Sequence, residues 1–223
     1  MMKMKNRFFE TGGNGLKSNL ESMEMAKKRD YKVMIMDEAI NKVPSIKYRH
    51  IPEDQHHIIT ELAKEALIVS KDENNSNEVA ITYRMCDTSR LSEDQRRSVI
   101  GIALGDDHSV DPEEDTVSYH LLNATADCIV VIVHNHPSLS KISLADVRYL
   151  LRYHSLKMIV AVTNLGSITY VVKSESYDRT KAVDLYDKCV DMYNDADDLK
   201  GYQKATNYFL NNCYEVGMVY EDR

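Results

Sequence analysis

The sequence predicts a fold of mixed helices and strands, α/β in the α+β sense, with a helical C-terminal tail, and three observations predict it. First, Cys128-Ile129-Val130-Val131-Ile132-Val133 is an unbroken apolar run rich in β-branched residues, the pattern of a strand buried on both faces. Second, Ile58, Ile59, Leu62, Ala63 and Leu67 mark a helical stripe over residues 52–69, followed by a polar turn at 72–77 and a β-prone run, Glu78-Val79-Ala80-Ile81-Thr82-Tyr83. Third, helical spacing returns beyond Tyr177.

Taken in order, the chain divides into three parts. Residues 1–50 read as a basic, partly flexible extension, with 11 Lys and Arg against 6 Asp and Glu. Residues 51–223 carry 17 against 29, so charges of +5 and −12 give the net −7 of the whole. The extension holds Thr11-Gly12-Gly13-Asn14-Gly15 and a short apolar run, Val33-Met34-Ile35-Met36, read as a strand. Seven of the eleven methionines fall in its first 36 residues, a composition suited to adaptable packing.

Residues 51–173 form the candidate catalytic domain. After the elements above come a helix over 144–154, a strand over 158–163, a turn at Asn164-Leu165-Gly166 and a strand over 167–172, which together signal a hairpin. Residues 174–223 form a helical segment to the chain end. Its second helix, over about 199–216, directs Tyr202, Ala205, Tyr208 and Phe209 inward.

Composition excludes several classes. No run of about 18 apolar residues occurs, so no membrane-spanning helix is expected. The basic N-terminus lacks the apolar segment of a secretory signal. Cys86, Cys128, Cys189 and Cys213 form no Cys-x-x-Cys pair and read as reduced thiols, which points to the cytoplasm. The acidic body disfavours nucleic-acid binding, and Lys27-Lys28-Arg29 reads as a solvated basic face.

The chemistry is concentrated where the buried strand ends, at His134-Asn135-His136-Pro137. Side chains two apart on a strand share a side, so His134 and His136 can converge on one ion while Asn135 faces away. Pro137 ends the ladder, and Ser143-Leu144-Ala145-Asp146 starts a helix with Ser143 at the N-cap and Asp146 in the first turn. Each piece has a plain structural reading, a polar strand end and a capping box, and Ser143 and Asp146 can serve both purposes. Two imidazoles and a carboxylate, with a fourth position open, is the donor set of a catalytic zinc site. His50, His56, His57, His108, His120 and His154 have no ligand spacing and read as ordinary surface or core histidines.

His134-x-His136-Pro137 followed by Ser143-x-x-Asp146 resembles the JAMM motif of the JAB/MPN metallopeptidase superfamily, and His134-Asn135-His136-Pro137-Ser138 resembles its bacterial and phage, RadC-like branch. The spacing departs in one respect: five residues, rather than the usual six, separate Pro137 from Ser143. The resemblance implies a mixed β-sheet flanked by helices, with Zn2+ held by His134, His136 and Asp146. It also implies a glutamate base at the start of a strand that follows a helix. Glu78 matches that order, while Glu65, Glu113 and Glu114 remain alternatives. Ser143 would donate to the developing oxyanion. The implied reaction is hydrolysis of a peptide or isopeptide bond, in a protein or peptide substrate such as a ubiquitin-like conjugate. Two other classes stand beside it: a non-catalytic MPN-like binding or assembly module, and a RadC-like nucleic-acid-associated accessory protein.

Overall fold

The computed structural model describes residues 32–223 apart from 87–91, 93, 96–97, 139 and 197–198. The glycine-rich stretch at 11–15, the basic residues 27–29 and Leu139 lie outside the described residues. The six strands among the described residues are β1 (Val79–Arg84), β2 (Ile100–Leu104), β3 (Val130–His136), β4 (Leu156–Thr163), β5 (Ile168–Lys173) and β6 (Met218–Asp222). They form one mixed sheet in the order β2-β1-β3-β4-β5-β6. Only β3 and β4 run parallel, and a parallel pair needs a crossover. Helix α4 (Leu144–Arg152) supplies it. The other helices are α1 (Asp37–Lys42), α2 (Glu53–Glu73), α3 (Thr116–Ala124), α5 (Arg179–Ala196) and α6 (Leu199–Asn212).

The period of two along β3 sorts its side chains between two cores. Val131 and Val133 face α2 and pack with Ile59 and Leu67. Val130 and Ile132 face the opposite side and pack with Leu144, Val147 and Leu151 of α4 and with Tyr186 and Phe209 of α5 and α6. Every residue of β3 is buried, as its unbroken apolar run requires. The C-terminal helices therefore complete one of the two layers that cover the sheet.

Three features differ from the sequence reading. Residues 33–36 are extended but belong to no strand, because their polar groups bond elsewhere: the Val33 N–H donates to the Pro137 carbonyl (2.8 Å) and the Ile35 N–H to Ser76 Oγ (3.1 Å). Ile35, Val43, Ile46, Tyr48 and Ile51 are buried in the α2-side core, which ties residues 33–51 to the sheet. The chain is not helical to its end. Helix α6 stops at Asn212, a 3-10 turn covers Cys213–Val216, Gly217 takes a left-handed φ of 74°, and β6 then pairs antiparallel with β5. Strand β2 and helix α3, neither read from sequence, extend the sheet beyond β1 and cover it.

Candidate metal centre

Two elements build the site. His134 and His136 occupy even positions of β3 and so point to the α4 face, where α4 presents its N-terminus. Ser143, in extended geometry (φ −106°, ψ 168°), caps that helix in a reciprocal capping box with Asp146. Asp146 Oδ2 accepts from both the Ser143 N–H and the Ser143 hydroxyl, each at 2.7 Å. Oδ1 is thereby turned to His134 Nε2 at 3.2 Å, and Oδ2 lies 3.7 Å from His136 Nε2. The two Nε2 atoms are 2.9 Å apart.

This geometry fits an ion. Candidate donor atoms of His134, His136 and Asp146 all lie within 4.8 Å of one another, and they are the group of His, Cys, Asp and Glu found so placed among the described residues. Donors at about 2.0–2.1 Å from a tetrahedral ion would stand about 3.3 Å apart, in the middle of the observed separations. Orientation agrees as well. His136 Nδ1 faces the Ser140 carbonyl at 2.9 Å, which puts the ring proton on Nδ1 and leaves the Nε2 lone pair toward Asp146 and His134. Both histidines are buried, at 3% and 2% exposure, and burying such polar groups together is costly unless something offsets it. A divalent cation would do so.

Glu78 lies at the entry to β1. The β1–β3 ladder ends with Ala80 opposite His134, and Glu78, two residues before Ala80, directly precedes β1, with its N–H donating to the Asp106 carbonyl and its carbonyl accepting from the Gly105 N–H (2.8 Å each). Side chains two apart on an extended chain share a side, so Glu78 falls on the side of Ala80 and of its partner His134. It is buried and lines a small cleft with Lys32, Asp107, His108, Pro137, Ser138 and Ser140. The alternatives lie elsewhere: Glu65 and Glu114 are exposed, and Glu113 pairs with Arg152 at 3.1 Å. Ser143 adjoins the candidate donor group, and in this arrangement its hydroxyl proton is directed at Asp146.

Lys32, Asp107 and His108 were not singled out by sequence as lining the cleft beside Glu78. They arrive through tertiary contacts: the Glu78 N–H donates to the Asp106 carbonyl (2.8 Å), and Lys32 Nζ donates to Asn77 Oδ1 (2.6 Å). Comparison of the chain with protein-family models, with curated proteins and with solved structures finds no match.

Proposed function

We propose that this chain is a metal-dependent hydrolase of the JAMM type that cleaves a peptide or isopeptide bond. The observation that carries the reading is the grouping of His134, His136 and Asp146, whose donor atoms lie within 4.8 Å of one another, and Glu78 follows from the alternation that puts it on the side of Ala80 and His134. When bound, a divalent cation, zinc in our reading, supplies the Lewis acidity that makes water available as hydroxide near neutral pH and polarises a carbonyl. Glu78 takes the proton of the attacking water and returns it to the leaving amine. Ser143 orients Asp146, and donation to an oxyanion requires its hydroxyl to rotate away from that carboxylate. The substrate is a protein or peptide segment, with a ubiquitin-like conjugate as the family expectation.

Free thiols at all four cysteines suit a reducing compartment, so the proposal includes a cytoplasmic location. No helix among the described residues is long and apolar enough to cross a membrane. The test is cleavage of a panel of fluorogenic peptides and isopeptide-linked conjugates by the zinc-loaded chain, with Glu78→Gln alongside. General-base loss is expected to lower the rate by about 10²–10⁴-fold while metal content is retained. Equal cleavage by parent and Glu78→Gln overturns the assignment of the base, and no cleavage of any member by the zinc-loaded parent favours the assembly-module reading.

A further inference from the structure

We propose that Asn135 and Asn164 are positioning residues for this centre: a buried pair of side-chain amides that fixes where β1 begins against β3, and so sets His134, His136 and Glu78 relative to one another. The inference rests on reading the His134, His136 and Asp146 group as a metal centre.

Asn135 stands between the two histidines on β3 and points to the opposite face, at 0% exposure. Its Oδ1 accepts from the N–H of Val79 (2.7 Å), the first residue of β1 and the neighbour of Glu78. Its amide NH2 faces Asn164 Oδ1 at 2.8 Å, with Ser70 Oγ and the Asn77 carbonyl each at 3.1 Å. Asn164, also at 0% exposure, donates from Nδ2 to the carbonyls of Val33 (2.7 Å) and Ser76 (3.1 Å), and its backbone N–H donates to the His136 carbonyl (3.1 Å). The Val33 N–H returns to the Pro137 carbonyl at 2.8 Å. Two side chains thus join the end of α2, the start of β1, the ligand-bearing end of β3, the β4–β5 turn and residues 33–35.

The placement of these bonds matters more than their number. The Val79–Asn135 bond lies at the point where β1 enters the ladder. A slip of one residue there would send Glu78 to the α2 face, because side-chain direction alternates with every residue. The Asn164 backbone N–H donates to the His136 carbonyl whatever its side chain, and what the amide adds is an acceptor for Asn135 Nδ2 (2.8 Å), which orients the amide that holds Val79, and two bonds to the Val33 and Ser76 carbonyls. An asparagine amide offers an acceptor and two donors in one plane, and a buried network of this kind is stabilising only when its members are satisfied together. Neither residue reaches the face that holds the ligands, so both act through the backbone they fix.

The test is zinc affinity of the full chain, read by competition with a chromophoric chelator, in the parent, Asn135→Ala, Asn164→Ala and Ser155→Ala. Ser155 donates a buried hydrogen bond to the Leu122 carbonyl (2.6 Å) beside the far end of β3, so its variant reports general loss of a buried bond. Both asparagine variants are expected to bind zinc roughly 10–100-fold more weakly than the parent, with Ser155→Ala unchanged. Asn164→Ser, which leaves β3 itself untouched, carries the same reading should Asn135→Ala not fold. Parent-level affinity in the asparagine variants, or an equal fall in Ser155→Ala, overturns this inference alone. A parent chain that binds no zinc removes the centre, and this inference with it.

Discussion

Asp146 uses its two carboxylate oxygens for different ends. Oδ2 accepts two hydrogen bonds that start α4, and Oδ1 faces His134, so one residue both caps the helix and aims at the candidate ion. The double use was legible in the sequence because Ser-x-x-Asp is a capping pattern wherever it occurs, and its position behind a His-x-His strand end gave it a second meaning. Lys173 was not legible. Nothing in Thr169-Tyr170-Val171-Val172-Lys173 announces a buried amine, yet its Nζ donates to the Tyr153 carbonyl (2.9 Å) and lies 5.0 Å from the Tyr177 ring centre. Burial lowers its pKa from 10.5 to about 8, with Arg179 and Lys157 pushing the same way. Below about pH 8 the amine is charged in folded and unfolded chains alike, and the burial cost is fully present. From about pH 8 to 10.5 the folded chain has released the proton while the unfolded chain keeps it, so this residue's contribution to stability rises with pH. Urea unfolding at pH 7.5 and 10 is expected to shift the stability difference between parent and Lys173→Met by up to about 3 kcal/mol in the parent's favour at the higher pH. A difference that does not change with pH contradicts it.

Among the elements, β3 and α2 were the most legible, because long apolar periodicity overrides local detail. Helix α2 was read at 52–69 and is found at Glu53–Glu73, and β3 extends through His136, which puts His134 and His136 on one side. Strand β2 was missed for a physical reason. Ile100-Gly101-Ile102-Ala103-Leu104 presents small residues on one face, and its glycine argues against a strand until its neighbour is known. That neighbour is α3: a Cβ on Gly101 would meet Asp115 Oδ1 and Ser118 Oγ, and Asp115 caps α3 by accepting from the Ser118 N–H (2.7 Å). Gly101→Ala is therefore expected to destabilise the fold by about 1–3 kcal/mol in urea unfolding, through overpacking and loss of the cap together. Parent-like stability would mean that α3 yields without cost. Strand β6 was missed because the helical pattern of α6 runs almost into it. The stop depends on Gly217 in a left-handed conformation, and Met218-Val219-Tyr220 is too short a run to identify alone.

At the scale of the molecule, a six-stranded mixed sheet lies between a layer built on α2 and a layer of α4, α5 and α6, and the candidate centre sits at one end of the sheet where the second layer begins. The fold class was legible because buried strands, an amphipathic helix and a glycine-turn hairpin each carry a local signal. The grouping of the three candidate donors was legible because all fall within 13 residues, from His134 to Asp146. The cleft that Glu78 lines was not, because Lys32, Asp107 and His108 come to its rim only after β1 and β2 pair and residues 32–36 fold back over the end of β3. The same long-range packing gives Asn135 and Asn164 their partners.

Whether the convergence of His134, His136 and Asp146 holds an ion is decided most directly by elemental analysis of the purified full chain beside His134→Ala/His136→Ala. About one zinc per chain in the parent, lost in the double variant while the folded spectrum is kept, is the expected result for a site with this donor set. Iron in its place would keep the site and change its chemistry, since the same donors suit ferrous iron. No stoichiometric metal in the parent, even after reconstitution with zinc or iron, contradicts the account.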